Sequence, residues 1–172
     1  MPAILMVIAP EMFRDEEYSH PKAVFERRGA TVVTASTQAG PCTGRFGLVA
    51  TADVALADAR AAEFDAVVFV GGAGAQVYFD DEAAHALANA AFEQGAVVSA
   101  ICVAPSILAR AGLLSGRRAT SFPSQELDLE THGAIFALEP VTVDAPFVTA
   151  NGPEAADAFG EAVADLLSLP RD

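Results

Sequence analysis

The chain has little to staple it covalently and little to carry it to a polyanion. Two cysteines, Cys42 and Cys102, in 172 residues are too few for a disulfide framework. Tryptophan is absent, lysine occurs only as Lys22, and 10 basic residues face 23 acidic ones for a net charge of -13. That charge repels phosphate backbones and anionic lipid, and the largest basic clusters are the pairs Arg27-Arg28 and Arg117-Arg118. Neither nucleic acid nor a membrane is therefore expected as a partner. No apolar run reaches the roughly 20 residues that span a bilayer, and no basic segment precedes the opening apolar run as a signal peptide requires. A reducing cytoplasm is the expected compartment. Only His20, His85 and His132 offer imidazoles, and with none beside a cysteine a metal site is not expected.

What is present is an apolar core supply, 52% of 172 residues, which suits one domain over residues 1–172. Residues 3–9 and 31–35 read as buried strands, and the helical spacing of Pro21, Val24, Phe25 and Arg28 before Gly29 places a helix from Asp15 or Glu16 to Arg28. A third strand, 66–70, runs into Gly71-Gly72-Ala73-Gly74. Asp80 is expected to cap a helix whose Ala84, Leu87, Ala88, Ala91 and Phe92 form one apolar stripe, and a strand at 96–101 then leads to a helix over 103–112. Residues 43–53 and 140–150 suit hairpins, the second turning at Asp144-Ala145-Pro146. A last helix from Pro153 is expected to bury Ala156, Phe159, Val163, Leu166 and Leu167. Strands alternating with helices imply right-handed crossovers and a three-layer α/β/α sandwich on a mostly parallel sheet.

In such a sheet, ligands bind beyond the carboxyl ends of the strands. The residues after the first strand, the Gly71-Gly72 loop, Cys102 and the Asn151-Gly152-Pro153 turn all fall on that edge. Cys102 sits where a strand passes into a helix, and unpaired amides at a helix start favour a thiolate, which makes it a candidate nucleophile; a small buried core residue is the alternative. Glu17 shares the inward stripe of its helix with Pro21 and Val24, so it is a candidate proton donor to Cys102; alternatively it complements the helix amino end with Asp15 and Glu16. Gly71 and Gly72 let the backbone approach a ligand and, with the amide of Cys102 or Val103, are able to form an oxyanion hole, or they merely turn the chain. His20, three residues after Glu17, is either site-lining or a surface residue. The glycine run matches no dinucleotide fingerprint, because no G-x-G-x-x-G opens a helix after the first strand.

The Val67-Val-Phe-Val-Gly-Gly72 run, Ser99-Ala-Ile-Cys-Val-Ala-Pro-Ser106, Gly116-Arg-Arg-Ala-Thr-Ser-Phe-Pro123 and Thr149-Ala-Asn-Gly-Pro153, with Glu17 upstream, resemble the ThiJ/PfpI superfamily. The similarity is to its short prokaryotic members, stress proteins and intracellular-protease-like proteins. The resemblance implies a flavodoxin-like fold, a nucleophile elbow at Cys102, Glu17 as its protonated partner, and a homodimer or higher homo-oligomer. It also implies a site lined near Phe122 and Asn151, no cofactor, and a small reactive carbonyl as substrate in glyoxalase III or deglycase chemistry. Redox sensing and peptidase action are the other implied activities. The resemblance implies a histidine directly after the nucleophile in protease-like members and, in other members, one where Phe122 stands; here Val103 follows Cys102, which argues against a peptidase dyad.

Overall fold

In the computed structural model, which describes residues 1–171, apolar runs too short for helices become strands buried on both faces. In chain order the elements are β1 (Ala3–Val7), β2 (Glu11–Phe13), α1 (Asp15–Arg27), β3 (Thr31–Ser36), β4 (Gly40–Gly44), β5 (Val49–Ala52) and β6 (Val54–Ala55). There follow β7 (Ala66–Phe69), α2 (Glu82–Glu93), β8 (Val97–Ile101), α3 (Pro105–Arg110), β9 (Arg118–Ala119) and α4 (Glu126–Thr131). The chain finishes with β10 (Ile135–Phe136), β11 (Val141–Asp144), β12 (Phe147–Ala150) and α5 (Ala156–Leu166).

A seven-stranded sheet runs in the order β11-β12-β8-β7-β1-β3-β6, parallel throughout except for the β11–β12 hairpin. Ile4, Met6 and Ile8 face α1 and α5 on one side, while Leu5 and Val7 face α2, α3 and α4 on the other. The result is the flavodoxin-like α/β/α sandwich. β2, β4 and β5 make a small separate sheet beside the carboxyl edge, and β9 pairs with β10. No helix among the described residues is long and apolar enough to cross a membrane.

Several local expectations shift. Asp81, not Asp80, caps α2, its carboxylate accepting from the Ala84 amide at 2.9 Å, while the exposed Asp80 pairs with Arg110. The helix expected from 103 begins only at Pro105, because Cys102 takes a conformation no helix accommodates. The first hairpin starts at Gly40 rather than 43. Leu166 and Leu167 are half-buried at the edge of the core. β2, β6, β9 and β10, at two or three residues each, carry no readable period.

α1 and α5 cross tightly where Gly160 meets Pro21. A Cβ at Gly160 would lie 3.0 Å from Pro21 Cα and 3.3 Å from Val24 Cβ, so backbone, not a flexible tip, blocks enlargement. Next to this crossing Arg28 is a cross-brace, its side chain 2% exposed. It donates to Pro170 O at 3.0 Å, Leu169 O at 2.8 Å, Asp165 Oδ1 at 2.9 Å and Glu161 Oε1 at 3.2 Å. Gly160→Val is predicted to lower stability by about 1–3 kcal/mol, the usual cost of overpacking a closed core site. Urea unfolding monitored by circular dichroism checks this, and an unchanged midpoint would show that the helices separate freely.

Candidate active site

Cys102 follows β8 directly and has φ of 65°, in the left-handed region that a side chain enters at a cost of about 1–3 kcal/mol. Its neighbours hold it there. The Cys102 amide donates to Ala150 O on the adjacent strand end at 2.9 Å, and its carbonyl accepts from the Phe122 amide at 2.7 Å. A tight turn, with the Ala104 amide on Ile101 O at 3.1 Å, then delivers the chain to α3. Strand, strained residue and helix together form a nucleophile elbow, with the side chain at the carboxyl edge of the sheet.

Glu17 reaches the same place from the inward face of α1 and is fully buried. Neither carboxyl oxygen has a completed hydrogen bond among the described residues. The Cys102 thiol and the Gly71 amide nevertheless face it closely enough to bear on its proton. Gly71 makes this meeting sterically feasible: a Cβ there would sit 2.5 Å from Glu17 Oε1 and 2.6 Å from Cys102 Cβ. Gly72 turns the chain with φ of 98°, and the Arg14 amide donates to Gly71 O at 2.9 Å, fastening the glycine loop to the segment after β2.

Burial pushes the Glu17 carboxyl up to about 7, against the lowering pull of Cys102, Arg14 and the Gly71 amide. Burial pushes the Cys102 thiol up as well, to about 12, and the charge and hydrogen bonding of Glu17 add to the rise. The amides of Gly72 and Val103 pull it down, but less strongly. Burial thus opposes the thiolate that the position after β8 was expected to favour. α3 has six residues and opens on a proline, which brings no N–H, so little dipole reaches the sulfur to oppose desolvation. Burial therefore favours the protonated form of both members of the pair.

Cys102 opens into a cleft of about 630 Å³, lined also by Gly72, Val103, Phe122 and Asn151. Gly71 lies behind it, between Glu17 and Cys102. His20 does not belong to this cleft. It projects from the exposed flank of α1 with Nδ1 3.5 Å from Asp157 Oδ1, because the buried stripe runs through Glu17, Pro21 and Val24 and leaves position 20 to one side. His85 bonds Phe79 O at 2.7 Å and His132 bonds Asp128 O at 2.8 Å, so none of the three imidazoles lines the cleft. Among the described residues no three His, Cys, Asp or Glu side chains converge as a metal set. Arg14 and Arg45 also line the cleft, and no motif in the sequence pointed to them.

The model of the DJ-1/PfpI family matches residues 2–166. An uncharacterized protein of Methanocaldococcus jannaschii is 41% identical over 160 residues, covering 91% of this chain and 78% of the relative. A protein of Pyrococcus abyssi named as a deglycase is 32% identical over 149 residues, covering 87% of this chain and 90% of its own. Among solved structures, a ThiJ/PfpI domain protein from Brachyspira murdochii superposes with a TM-score of 0.95 at 34% identity over 96% of each chain.

The raised Glu17 pKa has a sign that stability reports. A carboxyl at about 7 when folded and near 4.5 when exposed stays protonated in the native state while the unfolded chain ionises. Its contribution is therefore intact below 4.5 and is lost as pH rises through 7. Glu17→Gln, which cannot ionise, is predicted to gain stability relative to the wild type by up to about 3 kcal/mol between these limits, at ~1.4 kcal/mol per pKa unit. Denaturant unfolding of both proteins across that range checks it, and a pH-independent difference would place the Glu17 pKa near its ordinary value.

Proposed function

The chain belongs to the DJ-1/PfpI family, and from that membership and the pairing of Cys102 with Glu17 we propose that it is a cofactor-free enzyme acting on small reactive carbonyl compounds. The observation that carries the reading is a buried carboxyl, with a pKa of about 7, set against a cysteine in a strained elbow. A group poised there both accepts and returns a proton near neutral pH. Relatives named as deglycases, such as the Pyrococcus abyssi protein, support the same chemistry.

Glu17 takes the thiol proton as the Cys102 sulfur adds to the aldehyde carbon. The carbon–sulfur bond forms, the carbonyl pair moves onto oxygen, and that oxygen receives the proton back, giving a hemithioacetal. Amides of Gly72 and Val103, which already face the sulfur, lie close enough to share their donors with the developing oxyanion. With methylglyoxal, Glu17 next moves a proton from the aldehyde-derived carbon to its neighbour while the hydroxyl proton passes from the first oxygen to the second, through an enediol, so the first carbon is oxidised and the second reduced. The product is a thioester that water cleaves to lactate and free thiol. The electrons balance within the substrate.

Two other readings draw less support. A redox sensor would use the same sulfur to attack peroxide, but that oxidation needs no proton moved between neighbouring carbons, the role that a buried carboxyl with a pKa of about 7 suits. A peptidase must protonate a leaving amine, and Val103 stands where an imidazole would be needed.

Purified protein is predicted to convert methylglyoxal to lactate, with activity abolished in Cys102→Ala and lowered about 10²-fold or more in Glu17→Gln, the scale of a general acid-base contribution. Wild-type turnover by the Glu17 variant would remove that residue from the mechanism. Casein and short fluorogenic peptides are predicted to remain intact. Robust cleavage lost in Cys102→Ala would instead make the protein a peptidase.

A further inference from the structure

The cleft of Cys102 carries two cations that the reaction just described does not use. Arg14 follows β2 and Arg45 follows β4, and these strands lie side by side in the small sheet. Both residues have fixed backbones: the Arg14 amide donates to Gly71 O and the Arg45 amide to Phe13 O, each at 2.9 Å. Their guanidinium groups converge on one aromatic ring, Phe46, at 4.9 Å and 5.4 Å from its centroid. The loop bearing that ring is pinned by the buried Asp15, whose carboxylate accepts from the amides of Phe46 and Leu48, both at 3.0 Å.

Two like charges gathered on one ring repel each other, and an anion seated between them relieves the repulsion. Arg14 engages Glu16 through Nε at 2.7 Å, whereas Arg45 makes no ion pair among the described residues. Glu154 is the one carboxylate lining the same cleft, and it is exposed. In a chain of net charge -13, with only 10 basic residues, two arginines in one cleft beside Cys102 are a local concentration of cations, and Arg45 is the one without an ion pair among the described residues. Guanidinium forks suit carboxylate and phosphate oxygens better than any neutral group.

We propose that Arg14 and Arg45 form an anion subsite that selects carbonyl substrates bearing a carboxylate or phosphate group close to the reacting carbon. The proposal rests on the carbonyl chemistry assigned to Cys102 for its reaction, but its binding half is separable. Such a substrate places its charged end on the arginines and its aldehyde carbon over the sulfur. The subsite thus acts on affinity and orientation and moves no proton.

Iodoacetate and iodoacetamide alkylate sulfur by the same displacement, in which the deprotonated sulfur attacks the CH2–I carbon and iodide leaves, and they differ chiefly in charge. Their relative rates at Cys102, followed by peptide mass, therefore read the subsite without requiring turnover. Compared with a free small thiol, the wild-type iodoacetate/iodoacetamide ratio is expected to be raised. It should fall about five-fold or more in Arg14→Gln/Arg45→Gln, while Arg45→Lys, which keeps the charge, retains much of it. Raising ionic strength from ~0.05 to ~0.5 M should erase the wild-type preference and leave the double variant flat. A ratio equal to that of the free thiol, or one indifferent to both substitutions, overturns the subsite. In the second arm kcat/KM is compared for methylglyoxal and for hydroxypyruvaldehyde phosphate, which carries a phosphate ester on the methyl carbon. The phosphorylated compound should be preferred, with the loss in Arg45→Gln falling on KM. Turnover of neither compound alongside an intact alkylation preference would sink the carbonyl reading and leave the anion site standing; turnover without preference would do the reverse.

Discussion

A carboxyl removed from water and set against a sulfur is the constraint around which the site is arranged. Burying Glu17 without a completed hydrogen bond costs free energy. The fold limits that cost by keeping a proton within reach instead of a counter-ion. Every neighbour serves the arrangement. α1 enters the core at the angle that turns position 17 inward, Gly71 yields the space a side chain would fill, and the ends of β8 and β12 hold Cys102 in a conformation it would not adopt alone. The sheet order places β1, β7 and β8 next to one another, so the loops after these three strands meet at one edge.

The sequence made the layers and the central pair legible because both depend on local spacing. The unbroken apolar run over 66–70 and the four-residue step from Glu17 to Pro21 are visible without coordinates. The raised pKa of Glu17 follows from its place on the inward stripe and was legible; the upward push on Cys102 was not. The sequence argument weighed an assumed helix start, whereas the balance is decided by desolvation and by a carboxylate distant in the chain. Of the two readings open for His20 the surface one holds, because a position flanking the buried stripe turns it toward Asp157. Arg14 and Arg45 were invisible for another reason. A three-residue strand brings them together, and an element that short leaves no pattern to read.

The distribution of arginine shows how an acidic chain uses its few cations. Arg28 and Arg110 are structural braces, the second joining Asp80 and Asp128 under the ring of Phe79. Arg117 approaches Asp144 and Arg118 pairs with Glu139, tying β9 to the hairpin region. Planar guanidinium groups do this well because one head serves two acceptors and an aromatic face at once. Against that pattern, a guanidinium held on an aromatic ring with no carboxylate partner, as at Arg45, is chemically conspicuous.

The Arg28 brace also orders events during synthesis. Its acceptors are all supplied by residues 161–170, and the carbonyl that holds the Cys102 amide belongs to Ala150. While the ribosome is still adding these segments, the end of α1 lacks its anchor and residue 102 lacks the acceptor that holds its amide. The emerging polypeptide is then a string of apolar strands with an ordinary, unstrained cysteine. The reactive geometry is completed only late in biogenesis, when residues 150–170 dock, so a stalled or prematurely terminated product would carry the cysteine without the contacts that hold it in place.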